Sequence, residues 1–177
     1  MARQVDYLDF TPDAPEAVLE QMRAIDRARD GWVNVRPRPL IDPNPDEERI
    51  TEFAPTPLEA PVGLFARWRL VTIEGTWVPG KSGRNGPEDA SVGLSHPAGR
   101  FAVRQLRDAG VTVPDGWRVV VDHARRGLVL AIPEGLATDG EPGNGSVAVI
   151  LAWLLAAGAV LGPQQMTGRW RAEIHRR

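Results

Sequence analysis

Val147-Ala148-Val149-Ile150-Leu151-Ala152-Trp153-Leu154-Leu155-Ala156-Ala157-Gly158-Ala159-Val160-Leu161 runs on without one polar side chain. A helix resting on a sheet normally shows water a polar stripe, so a helix without one is buried on every side or lies in lipid. The run is shorter than the ~20 residues that cross a bilayer. Beyond it, residues 169–175 alternate as a strand does. A core helix is therefore expected, with a C-terminal membrane tether as the alternative.

The large residues Ile150, Leu151, Leu154 and Leu161 suit a sheet surface. Ala148, Ala152, Ala156 and Ala159 recur at spacings of four, four and three, and their small side chains let a second helix approach. That helix is either residues 15–29 of the same chain or the same helix of a second subunit. In residues 15–29, Val18, Met22 and Ile25 share one face that needs burial. Asp13 or Thr11 would cap its start and Gly31 would follow its stop.

Working outward, Trp32–Val35 reads as a short strand. Seven prolines follow within residues 34–61 (Pro37, Pro39, Pro43, Pro45, Pro55, Pro57 and Pro61). Proline lacks the amide hydrogen that a ladder or helix interior requires, so this stretch reads as an extended arm. The division is residues 1–60 as an acidic helix and proline-rich arm, and residues 61–177 as the core domain. Within the core, strands are expected at Leu64–Ile73, Trp117–His123, Leu128–Ile132 and Arg169–His175, with a glycine-rich loop at residues 75–86. A helix at Pro97–Ala109, capped by Ser95, joins the apolar one. The order β-α-β-β-α-β is the ferredoxin-like plan, an α+β antiparallel sheet with two helices on one face.

The 177 residues are 42% hydrophobic and 25% charged, which suits a globular protein rather than a disordered one. With no cysteine there is no disulfide, thiol nucleophile or cysteine-ligated metal site. The opening Met1-Ala2-Arg3-Gln4-Val5-Asp6 has no apolar run of the secretory kind, and a cytoplasmic location is expected. The net charge of −2 disfavours general nucleic-acid binding, which is driven by phosphate charge. Residues 1–60 hold 7 Arg against 13 acidic residues, and residues 61–177 hold 14 basic against 10 acidic. An acidic half joined to a basic half neutralises it most simply within the molecule.

Gly75-Thr76-Trp77-Val78-Pro79-Gly80-Lys81-Ser82 satisfies the phosphate-loop pattern G-x-x-x-x-G-K-[ST]. In such a loop Gly80 and its neighbours would wrap the phosphates, Lys81 would reach their oxygens and Ser82 would hold magnesium. The pattern works when a helix begins at the Lys-Ser pair. Here Gly83, Gly86 and Pro87 follow and oppose a helix. A nucleotide-binding enzyme built on Gly80, Lys81 and Ser82 thus stands as an alternative only. His96, His123 and His175 have no ligand spacing, and no G-x-S-x-G elbow is present. Neither a catalytic residue, a metal nor a cofactor is assigned.

Strand alternation places Phe65, Arg67, Arg69 and Val71 on one face of the first core strand, and Arg169, Arg171, Glu173 and His175 on one face of the last. These strands are neighbours in the ferredoxin-like plan, so Arg67, Arg69, Arg169, Arg171 and His175 would form a basic surface. Like charges across strands need an anionic partner or solvent. The candidates are the chain's own Asp42–Glu59 segment, an acidic protein, or RNA. RNA would need stacking aromatics on the central strands, where Val129 and Ala131 stand instead.

Gly75-Thr76-Trp77-Val78, Asp122-His123-Ala124-Arg125-Arg126-Gly127-Leu128-Val129 and Thr167-Gly168-Arg169-Trp170-Arg171 resemble stretches of a family of short proteins from GC-rich actinobacteria with no assigned function. The resemblance implies a bacterial source and no particular chemistry. The expectation is a non-catalytic interaction or assembly module, paired with an acidic protein or with itself through Ala148, Ala152, Ala156 and Ala159.

Overall fold

Ser146 starts the apolar helix where the sequence places it: its hydroxyl accepts from the Val149 N–H at 3.3 Å, and the helix runs Val147–Leu161. The structure, a computed structural model, describes residues 4–39, 73–83, 86–95, 101–123, 127–134, 136, 143–162 and 166–176. In chain order the elements are β1 (Gln4–Phe10), α1 (Glu16–Ala28), β2 (Trp32–Pro39), β3 (Glu74–Val78), β4 (Lys81–Gly83), β5 (Gly86–Glu88), β6 (Ala90–Ser95), α2 (Ala102–Asp108), β7 (Arg118–His123), β8 (Gly127–Ile132), α3 (Val147–Leu161) and β9 (Met166–Arg176).

Among the described residues seven strands form one sheet in the order β1-β9-β2-β3-β6-β8-β7, with every neighbouring pair antiparallel. β4 and β5 pair separately as a hairpin. The ferredoxin-like expectation of four strands and two helices is therefore incorrect. Two kinds of segment account for the difference. Within residues 4–39, β1 and β2 flank β9, and α1 packs on β1, β2, β9 and α3. The expected glycine-rich loop instead contains β3, and β6 follows it. The boundary at residue 60 and most of the Leu64–Ile73 strand lie outside the described residues, as does the Pro97–Arg100 part of the expected second helix. Ile73 itself is buried.

Pro37 and Pro39 lie within β2, and both take part in its pairing with β9. Among the described residues β3 pairs with Val33–Val35, whereas β9 continues along β2 to Pro39, with a register shift between Pro37 and Pro39.

α1 buries Val18, Met22 and Ile25, the face read from its periodicity. Its N-cap residue is Pro15, with no side-chain cap, so neither Thr11 nor Asp13 serves there. The helix ends at Arg29 in the left-handed conformation (φ 53°), and Gly31 (φ 102°) redirects the chain into β2. A side chain at Gly31 would collide with the His175 carbonyl.

α3 lies across the middle of the sheet, against β2, β3 and β6, between α1 and α2. Ile150, Leu151, Leu154 and Leu161 are buried, together with Trp153, Leu155, Ala157 and Gly158. Each large apolar side chain so buried contributes about 1.5–3 kcal/mol relative to exposure, which makes this helix the centre of the core. Trp153 and Trp117 meet at 5.5 Å beneath it, and each indole N–H reaches a carbonyl: Trp153 to Thr112 at 2.9 Å, Trp117 to Asn144 at 2.8 Å. α2 begins at Ala102, not at a Ser95 cap. The Asp122 carboxylate of β7 accepts from the N–H groups of Ala102 (2.8 Å) and Val103 (3.3 Å), while the Ser95 hydroxyl bonds the backbone of Glu74. No helix among the described residues is long and apolar enough to cross a membrane.

Candidate functional site

Alternation along β9 divides two surfaces. Trp170, Ala172 and Ile174 are buried on the helix side, and Arg169, Arg171, Glu173 and His175 alternate with them on the opposite face. Cross-strand register brings Asp9 of β1 opposite Arg171, and Arg36 of β2 opposite Arg171 on its other side. Arg171 donates to Asp9 through Nε (3.0 Å) and Nη2 (3.3 Å), the two-pronged geometry that suits a carboxylate. Its guanidinium also lies 5.9 Å from the centre of the Tyr7 ring. Arg38 reaches the same carboxylate at 3.2 Å. The hydrogen bond from Arg171 is the largest influence on Asp9 and holds its carboxyl below the ordinary range. Partial burial opposes this, and the charges of Arg171 and Arg38 reinforce it.

Beside this group, Glu173 pairs with Arg36 at 3.3 Å and lies 3.6 Å from His175 Nε2. The His175 ring stacks on Trp32 with centroids 4.4 Å apart and planes 8° from parallel. Glu74, at the head of β3, has its carboxyl pushed up by burial and next by the charge of Glu173, against the pull of Arg36 and His175.

Of the five residues expected to form a basic surface, Arg171 and His175 join this network and Arg169 is exposed. Arg67 and Arg69 lie outside the described residues. Among the described residues, Asp9 meets Arg171 and Glu173 meets Arg36, both acidic groups from the sheet itself. The expected neutralising segment, Asp42–Glu59, also lies outside the described residues. Asp9 is not among the residues the sequence singles out, because no strand is expected at β1. The available signal was Val5, Tyr7, Leu8 and Phe10 closed by the turn residues Thr11-Pro12-Asp13.

The phosphate-loop residues are placed differently from the pattern's requirement. Gly75 to Val78 form β3, and Lys81 and Ser82 open β4, which turns back on β5. Strand and hairpin thus stand where a helix would have to aim its N-terminus at a phosphate. Lys81 pairs with Glu88 at 3.4 Å, and the Gly80 carbonyl accepts from Arg29 at 3.1 Å. Arg29 in turn is 3.5 Å from Asp26 and 3.9 Å from Glu134. A partly open pocket beside Arg29 and Gly80 offers only about 70 Å³, water-sized space rather than room for a nucleotide.

Among the described residues, two surfaces bearing apolar side chains are open on the helix side. On α3, Ala152, Ala156, Ala159 and Val160 are exposed, and Ala148 and Val149 are half-buried. The small-residue stripe therefore faces away from the sheet, and α1 packs on α3 without covering it. A groove of about 400 Å³ lies between α2 and the edge strand β7, lined by Val103, Val111, Val113, Trp117 and Val119. Phe101, Val119 and Val120 are about half exposed beside it. His123 sits on this edge strand, whereas His175 lies on β9 next to the opposite edge. Among the described residues no group of three or more His, Cys, Asp or Glu could hold a metal ion. No protein-family model, curated protein or solved structure matches the chain.

Proposed function

We propose that the protein is a non-catalytic interaction module that assembles with a second copy of itself through the outward stripe of α3. The observation that carries this reading is the exposure of Ala152, Ala156, Ala159 and Val160 on a helix that has no polar residue to offer water. Solvent-facing helix positions are ordinarily polar, and contiguous apolar surface is a mark of contact sites. Small side chains let two helix axes approach closely, and a two-fold pairing would set the same residues of both copies against each other. An acidic protein partner is less well supported, because Asp9 and Glu173 already engage Arg171 and Arg36.

Sedimentation velocity over a concentration series tests the proposal. The expected result is a dimer that Ala156→Arg converts to monomer with an unchanged circular dichroism spectrum. A wild-type protein that stays monomeric, or a dimer indifferent to Ala156→Arg, would defeat it.

A further inference from the structure

We draw no further inference here: the strongest candidate, the apolar groove between α2 and the edge strand β7, is an unpartnered face, and nothing in the structure shows what covers it.

Discussion

A side-chain carbon placed on Gly158 of α3 would lie 2.5 Å from Cη2 of Trp170 on β9. Helix and sheet touch here through a missing methyl group, and the Trp170 ring, 3% exposed, occupies the space. Ordinarily Ala is better than Gly inside a helix by roughly 0.5–1 kcal/mol. Overpacking a core costs about 1–3 kcal/mol, and at this contact it outweighs that gain. Gly158→Ala is therefore expected to destabilise the fold by about 1–2 kcal/mol, read as a lower urea midpoint with an unchanged slope.

Asp9 and Arg171 supply a second test. The Arg171 side chain is 10% exposed, so Asp9→Asn removes the anion that balances a largely buried cation. Asp9 itself is 42% exposed, and water would partly replace what is lost. The expected cost is about 1–2 kcal/mol at neutral pH. Because the folded-state carboxyl is held below its ordinary value of 3.8, the contribution is complete above that pH and fades as pH falls through the depressed value. The gap between wild type and Asp9→Asn in denaturant midpoint should accordingly close in strong acid.

Glu74 has the opposite sign. Its carboxyl is raised above the ordinary 4.5, so folding favours the protonated form and loses stability as pH rises through the folded-state value. Glu74→Gln keeps the shape without the charge. Thermal melts should find the variant more stable than wild type at neutral pH and equal to it below about pH 4, where wild-type Glu74 is itself neutral. A variant less stable at pH 7 would contradict the direction.

Lys81 tests the sequence motif against the geometry. Its ion pair with Glu88 joins two side chains that are both more than half exposed, and such pairs contribute about 0–1 kcal/mol. Lys81→Ala should shift the melting temperature by no more than a few degrees. ATP with magnesium should leave the melting temperature of both proteins unchanged. Saturable stabilisation of the wild type alone would show that the hairpin does hold phosphate.

How much could be read beforehand follows from how each element signals itself. α3 needed no partner to be recognised, since Ser146 caps it and its apolar run is unbroken. α1 has its Val18, Met22 and Ile25 face, and β7–β8 have valine-rich runs around a tight connection. β3 and β6 signal weakly because their buried positions are few: Gly75 and Trp77 on one, Val92 and Leu94 on the other. Gly75 is buried because Leu154 fills the place of its side chain, so a glycine that reads as loop is here a helix contact. With β1, β3 and β6 carrying weak signals and β2 placed in the arm, β7, β8, β9 and the expected Leu64–Ile73 strand suggest a smaller sheet. Alternation alone places Arg171 and His175 opposite the buried face of β9, but their partners Asp9 and Trp32 come from strands whose pairing with β9 is invisible in local pattern.

β9 is hydrogen-bonded on one side to β1 and on the other to β2, and Asp9 and Arg171 are 162 residues apart in the chain. During synthesis the first two strands therefore wait with a gap between them until the ribosome has released the strand that fills it. Such long-range closure slows folding and leaves strand edges open to wrong pairings in the interval. The segment from β1 to β2 becomes durable only once β9 has joined it.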